Sequence, residues 1–268
     1  MGRHRKHPLL LYGHRGASAE RPENTLSSFQ RALELGVDVL ELDVHGTRDG
    51  KIVVSHDGSG ERMAGEAALI RESTLVDVQR WDAGFGFVDD SGARPFAARG
   101  HRVPLLAEVL EAFPEVRLNI DIKQSDPPIV ARVLDLLRQH RALDRVCLAS
   151  WNTGTIRAVR ACGFAGPTVQ ARDEVLALLA LPNALRRVWP VHGTTVQVPP
   201  SHSLIDFTAP WFVDRCHALG LRIDYWTINC PIQAQRLLAL GADGLMTDDP
   251  AALRAVIERW QGANHSTP

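Results

Sequence analysis

Cysteine is scarce in this chain. Cys147, Cys162, Cys216 and Cys230 are the four among 268 residues, and none sits in a Cys-x-x-Cys pair. That spacing excludes a disulfide framework and a thiolate cluster, and the four read as small packing residues in a reducing compartment. Charge of one sign is missing too: 30 Lys and Arg against 31 Asp and Glu leave a formal net charge of −1. No field of that size draws in nucleic acid or an anionic membrane surface, so neither is an expected partner. Long apolar runs are also lacking. The basic tip Met1 to His7 looks like a signal n-region, but only Leu9 to Tyr12 follow before Gly13-His14-Arg15. That run is too short for a signal peptide or a membrane helix, and no later segment is long enough to span. The tip therefore reads as a solvated tail, with no stable membrane insertion and a cytoplasmic location expected. Finally, no Gly-x-Gly-x-x-Gly follows the first strand, so the dinucleotide-binding fingerprint is absent.

What is present is a chain that is 45% apolar, enough for a substantial core. Its pattern alternates strand and helix. Strand-like runs at Leu9–Tyr12, Val37–Val44, Leu118–Ile122, Val146–Ala149, Thr168–Ala171, Thr195–Val198, Arg222–Thr227 and Gly244–Thr247 are each followed by residues at helical spacing. The first helix is expected from Asn24, as its cap, to Gly36, as its stop. Later helices are expected at Leu105–Phe113, Ile129–His140, Thr155–Cys162, Glu174–Leu181, Trp211–Leu219, Ile232–Leu240 and Ala251–Trp260. Eight such pairs without a linker point to a single (β/α)₈ TIM barrel domain over 1–268, of class α/β. One segment breaks the alternation. Ile52 to Ser55 folds back beside the second strand after an Asp49-Gly50 turn, and from Gly58 to Val103 no period survives. That stretch is expected to be an insertion over the barrel mouth.

The second strand carries an electrostatic conflict. Residues i and i+2 of a strand share a face, so Glu41 and Asp43 point one way while Leu40, Leu42 and Val44 point the other. Two close anions repel and lose hydration, which either a hard divalent cation or a surface ion pair with arginines relieves. Arg117 to Lys123 repeats the pattern, with Asn119, Asp121 and Lys123 on one face. Active-site loops of a barrel follow the strands on one side, so these groups converge there with His14, Arg15 and His56. Glu41, Asp43 and Asp121 would offer three ligands to Mg²⁺ or Ca²⁺. His14 and His56 would form an acid and base pair, and Arg15 and Lys123 suit phosphate oxygens. Together they describe metal-assisted phosphoryl transfer or phosphodiester cleavage.

Four short strings in order, His14-Arg15-Gly16-Ala17, Pro22-Glu23-Asn24-Thr25, Glu41-Leu42-Asp43 and Ser55-His56-Asp57, make the chain resemble the glycerophosphodiester phosphodiesterase family. Asn119–Lys123, Ser150-Trp151-Asn152, Trp226–Asn229 and Gly241–Asp248 resemble the family's later strand motifs. The resemblance implies a TIM barrel with an insertion after the second strand, Glu41 and Asp43 on Mg²⁺ or Ca²⁺, His14 and His56 as acid and base, and Arg15 and Lys123 on phosphate. It also implies attack of the glycerol 2-hydroxyl on phosphorus, a cyclic phosphate, and release of glycerol 3-phosphate. The family's third strand usually reads Glu-x-Lys, whereas here the ligand position is Asp121. Being one methylene shorter, it reaches an ion through water or from a closer strand. The Asp-x-Lys form also looks like the sphingomyelinase D and lysophospholipase D branch, which makes lysophospholipase D the alternative activity and a non-catalytic phosphodiester-binding barrel the reading of another class.

Some residues carry two readings. Glu23 and Asn24 suit either substrate contact or helix initiation, Trp151 and Trp226 either a substrate groove or core packing, and Gln197 either substrate contact or a hydrogen bond inside the barrel. His45, two residues beyond Asp43 on the same face, reads either as approaching the site or, as the commoner case, as a turn residue. Asp243 to Asp249 read as the end of the last strand and the cap of the last helix. His101, His140, His192, His202 and His217 read as surface or packing residues.

Overall fold

The computed structural model describes residues 7–180 and 190–265. The basic tip up to Lys6 lies outside the described residues, as does Leu181, the expected end of the fifth helix. The parallel strands are β1 (Leu10–His14), β2 (Val39–Gly46), β4 (Arg117–Ile122), β5 (Val146–Ala149), β6 (Thr195–Val198), β7 (Arg222–Tyr225) and β8 (Gly244–Thr247), and a short β3 (Ile52–Val54) runs antiparallel to β2. Pairing runs β5-β4-β2-β1-β8-β7-β6. The ring is closed by Thr168 and Val169, which bridge Leu148 of β5 on one side and Thr195 of β6 on the other. The barrel expected from the alternation is therefore present. Its fifth stave is two bridging residues rather than the ladder expected over Thr168–Ala171.

The helices are α1 (Leu26–Glu34), α2 (Leu106–Ala112), α3 (Val130–Gln139), α4 (Thr153–Ala161), α5 (Arg172–Ala180), α6 (Pro210–Ala218), α7 (Pro231–Leu240) and α8 (Pro250–His265). Their apolar faces pack on the outward side chains of the ring. Leu40, Leu42 and Val44 of β2, and Leu118, Ile120 and Ile122 of β4, are all buried in the main core beside Phe29 of α1 and Leu134 of α3. The alternate residues of the same strands turn into the barrel, which leaves the polar set of β2 and β4 inside.

The first helix differs from expectation at its start. Thr25, not Asn24, is the cap, its hydroxyl accepting from Ser28 N at 3.3 Å. Asn24 stands in the left-handed region at φ 57°, a conformation that Asn tolerates better than most residues, and its side chain points at the acids of β2. The expected insertion builds a small core of its own. A hairpin pairs Ser59–Gly60 with Glu66–Leu69 around a single helical turn at Glu61–Ala64, another turn follows at Leu75–Val78, and Val53, Ile70, Val78, Trp81 and Val103 pack together beneath them.

The loop after β1 is tight because it must turn the chain directly onto α1. Gly16 has φ 89°, and an added Cβ would lie 2.4 Å from Ser28 Oγ. Gly163 also has positive φ (78°) but has nothing within 4 Å of such a Cβ. Gly163→Ala is expected to cost about 1 kcal/mol from backbone strain, and Gly16→Ala clearly more because Ser28 must also move. Urea unfolding of the two variants measures the difference; equal losses would refute the steric argument.

Candidate active site

Register brings the site together. His14 of β1 is the lateral partner of Glu41 in β2, Glu41 of Asn119 in β4, and Asp43 of Asp121 in β4. Adjacent parallel strands stand about 4.8 Å apart, so partners that point the same way are crowded. Glu41 is 4% exposed and Asp43 1%, which removes the surface ion-pair reading. Charge compensation is nevertheless present, from inside the site. Lys123 Nζ lies 2.7 Å from Asp121 Oδ2 and 3.0 Å from Asp43 Oδ1, and Arg15 Nε lies 3.4 Å from Asp43 Oδ2. Arg15 also donates its backbone N–H to Glu41 Oε2 at 3.0 Å.

The three acids differ in what opposes their burial. Asp43 is held below the usual carboxylate range: burial pushes it up, but Lys123, Arg15 and the 2.9 Å hydrogen bond from Asn24 Nδ2 outweigh that. Glu41 has less opposing positive charge, and burial together with the neighbouring Asp43 anion pushes it up to about 8. Asp121 is also raised, by burial first, against the pull of Lys123. Among the described residues no three His, Cys, Asp or Glu side chains are already gathered around a common point as a metal cage. The donor set still fits a hard cation. Asp121 Oδ1 is buried with no hydrogen-bond partner, and a carboxylate pushed up to about 8 marks an excess of anion at the same spot.

Each histidine is oriented by its own carboxylate. His14 Nδ1 is 2.6 Å from Asp248 Oδ1, in the loop after β8, and His14 Nε2 is 4.0 Å from Glu41 Oε2. Burial would lower the His14 pKa, but Asp248 and Glu41 together leave it above the ordinary imidazole value. Asp248 is further fixed by Ser18 Oγ at 2.9 Å and Asn229 Nδ2 at 2.7 Å. His56, just past β3, has Nδ1 2.7 Å from Asp57 Oδ1. In both rings that contact occupies Nδ1 and leaves Nε2 for chemistry, the arrangement that gives an imidazole a defined acid or base role.

His14, Arg15, Glu41, His56, Asn119, Asp121 and Lys123 line one side of a cavity of about 430 Å³. The rest of the lining mixes apolar residues, Val169, Val175, Leu176, Val198, Phe207 and Trp226 among them, with the polar Gln170, Arg172, His202 and Ser203. Gln197 makes the expected hydrogen bond inside the barrel, Nε2 to Asn119 Oδ1 at 3.0 Å, and also lines the cavity. Trp226 likewise lines the cavity while packing against Tyr12, Val39 and Met246. Trp151 is 54% exposed at the rim, edge-on to His202, so it belongs to the groove.

Glu23 does not line the cavity. Its oxygens are taken by Arg15 and Arg62, so it bears on the site through Arg15. His45 is buried inside β2 rather than in a turn, with Nε2 3.1 Å from the His56 carbonyl oxygen. His202 lines the cavity instead of lying apart from it. Asp248 is the main residue that sequence reasoning missed as a site member. It stands 234 positions from His14, and its local signature is that of a strand end. Arg62 was missed because the insertion has no period to place it.

The His14–Asp248 pair sets a pH window for stability. Asp248 is depressed to about 2 from 3.8, burial being overcome by the His14 hydrogen bond and charge, so its contribution is complete above about pH 4 and lost as pH falls through about 2. His14 is raised above 6.5, so its contribution is complete below pH 6.5 and lost as pH rises through the folded value. Asp248→Asn is expected to cost about 1–2 kcal/mol between those limits, with the deficit shrinking on either side. Urea unfolding across pH 2 to 9 checks this, and a deficit independent of pH would refute the pairing.

Comparison with known proteins agrees with this geometry. The sequence profile of the Glycerophosphoryl diester phosphodiesterase family matches residues 14–252. A glycerophosphodiester phosphodiesterase of Caldanaerobacter subterraneus subsp. tengcongensis is 30% identical over 255 residues, which cover 93% of this chain and 98% of that protein. Human lysophospholipase D GDPD1 is 30% identical over 294 residues, covering 95% of this chain and 92% of its own. Among solved structures, the glycerophosphoryl diester phosphodiesterase domain of an uncharacterized Mycobacterium tuberculosis protein superposes with a TM-score of 0.81 at 21% identity, covering 94% of this chain and 99% of that one. An Oleispira antarctica phosphodiesterase in complex with the product sn-glycerol-3-phosphate superposes with a TM-score of 0.76 at 23% identity, covering 94% and 97%. With two histidines, two acids and two cations lining one cavity at the strand ends of a barrel, and a profile match over most of its length, the chain belongs to the glycerophosphoryl diester phosphodiesterase family.

Proposed function

We propose that this chain is a single-domain, metal-dependent glycerophosphodiester phosphodiesterase that releases sn-glycerol 3-phosphate and an alcohol. The observation that carries the reading is the pair of imidazoles, each with Nδ1 against a carboxylate, lining the same cavity as Arg15 and Lys123. A barrel that only bound phosphodiesters would need the cations but not two separately oriented proton-transfer groups. Glu41, Asp43 and Asp121 would hold Mg²⁺ or Ca²⁺, and the bound ion would neutralise phosphate charge and favour departure of the alkoxide. Asp121 is the direct strand neighbour of Asp43.

The residues of the chain divide the remaining work. Arg15 and Lys123 take the non-bridging phosphate oxygens, each moving some of its charge from the acids it now pairs with to the substrate. One histidine removes the proton of the glycerol 2-hydroxyl as its oxygen bonds to phosphorus. The other gives a proton to the alcohol oxygen as its bond to phosphorus breaks. The cyclic phosphate is then opened by water with the two roles exchanged, which restores both protonation states. Gln197, Asn119 and Trp226 flank the reacting centre and shape the glycerol end of the cavity.

A second reading has one specific observation behind it. On the side from Val169 to Phe207, the apolar Val169, Val175, Leu176, Val198, Ile205 and Phe207 offer contact area for the acyl-bearing half of a lysophospholipid, although polar residues such as Gln170 and Arg172 stand among them. It shares the same residues and chemistry and differs only in what occupies that side. The human relative named lysophospholipase D GDPD1 supports keeping it.

His14→Ala and His56→Ala are each expected to lower kcat by about 10²–10⁴-fold on glycerophosphocholine with folding retained. Full activity in both variants would reject acid–base catalysis here. Chelation of divalent ions is expected to abolish turnover, and Asp121→Asn to raise the metal concentration needed for half-maximal rate. A phosphorus NMR time course on mixed glycerophosphocholine and lysophosphatidylcholine, with Mg²⁺ or Ca²⁺, separates the two readings. Faster loss of the lysolipid selects the second, and no turnover of either leaves only the binding barrel.

A further inference from the structure

The insertion after β3 sends one side chain to both halves of the site. Arg62, in the single turn Glu61–Ala64, donates from Nε to Asp57 Oδ2 at 2.6 Å, and from Nη1 and Nη2 to Glu23 Oε2 and Oε1, both at 2.8 Å. Each acceptor has its other contact in the cavity lining. Asp57 Oδ1 is 2.7 Å from His56 Nδ1, and Glu23 Oε1 accepts from Arg15 Nη1 at 2.9 Å. A guanidinium is suited to this place because its planar fork donates in two directions at once, whereas an ammonium is a single point of charge.

The backbone beneath Arg62 is clamped by the rest of the insertion. Gly86 donates its N–H to the Met63 carbonyl oxygen at 2.8 Å, and a Cβ at Gly86 would lie 2.8 Å from the Arg62 carbonyl oxygen and 2.7 Å from Met63 Cα. Gly60, just before the turn, lies against Trp81, where an added Cβ would come within 2.8 Å of the indole. The guanidinium is half-exposed, yet its origin is held by close backbone packing against a buried core.

We propose that Arg62 is a positioning residue that holds His56 and Arg15 in mutual register through Asp57 and Glu23. The insertion thereby sets the geometry of one proton-transfer group and one phosphate-binding cation together. An exposed ion pair that served stability alone would have no reason to end on the two carboxylates that hold His56 and Arg15, both of which line the cavity. The inference rests on the phosphodiesterase reading for the roles of His56 and Arg15.

The test compares wild type with Arg62→Met, Arg62→Lys, Asp57→Asn, Glu23→Gln and Gly86→Ala. Glycerophosphocholine turnover is measured with saturating Mg²⁺, together with thermal midpoints and calorimetric binding of sn-glycerol 3-phosphate. Asp57→Asn is expected to lower kcat by about tenfold or more with KM nearly unchanged, and Glu23→Gln mainly to raise KM and weaken glycerol 3-phosphate binding. Arg62→Met should do both, should add little to either single variant in the double mutants, and should not be rescued by Arg62→Lys. Gly86→Ala should reproduce the Arg62→Met pattern in weaker form. Rescue by lysine, or loss of thermal midpoint with unchanged kcat and KM, would overturn the proposal. Absence of wild-type turnover would instead defeat the phosphodiesterase reading. Positioning would then be judged on glycerol 3-phosphate binding alone, where equal affinity of wild type and Arg62→Met overturns it.

Discussion

Two buried carboxylates, Glu41 and Asp43, with a third, Asp121, beside them on the paired strand, are the constraint to which the rest of the site responds. Strand register makes Asp43 and Asp121 neighbours and puts Glu41 one pleat away, so backbone pairing itself forces the anions together. Burial then raises their energy, and the barrel answers from within its own mouth, with Lys123 between two of them and Arg15 beside the first strand's end. The answer is incomplete: Glu41 is still driven up to about 8, and one oxygen of Asp121 is left without a partner. A group of acids whose charge is only partly compensated is electrostatically suited to a cation.

Around that centre lies a second ring of contacts whose effect is orientation. Asp248 and Asp57 each turn one imidazole so that Nδ1 is engaged and Nε2 is free. Asn24, in a left-handed conformation, supplies Asp43 with a hydrogen bond at 2.9 Å that adds to the stronger pull of Lys123 and Arg15 in keeping its pKa low. The tight turn at Gly16 makes this possible by folding the loop back onto α1, where Ser28 Oγ donates to the Arg15 carbonyl oxygen at 3.0 Å. Stability and function are therefore coupled at the N-terminal end of α1, because the turn that starts the helix is the one that aims Arg15.

The insertion extends the same logic outward. It carries its own hydrophobic cluster, which gives it a fixed surface against the barrel rather than a loose loop. Its contacts are made on the polar side of the mouth, at Glu23 and Asp57, while the apolar side is formed by the segments after β5 and β6. The lining from β1, β2 and β4 thus carries closely spaced ionic contacts, whereas the segments after β5 and β6 contribute apolar side chains interleaved with Gln170, Arg172, His202 and Ser203.

Sequence alone determined the barrel, the fold-back of β3 and the core of the site, because each depends on short-range periodicity. Alternation at spacing two places Glu41 with Asp43 and Asp121 with Lys123, and strand ends deliver His14, Arg15 and His56. Tertiary structure decided what periodicity does not encode. The fifth stave shrinks to Thr168 and Val169 because neighbouring strands, not local propensity, supply its hydrogen bonds. Asn24 gives up the cap to Thr25 because a buried carboxylate 19 residues away needs its amide. Asp248 faces His14 across 234 residues, and Arg62 reaches Glu23 across 39. Such pairs follow from ring closure and from packing of the insertion, and a side chain's partner across the barrel is set by the three-dimensional path of the whole chain.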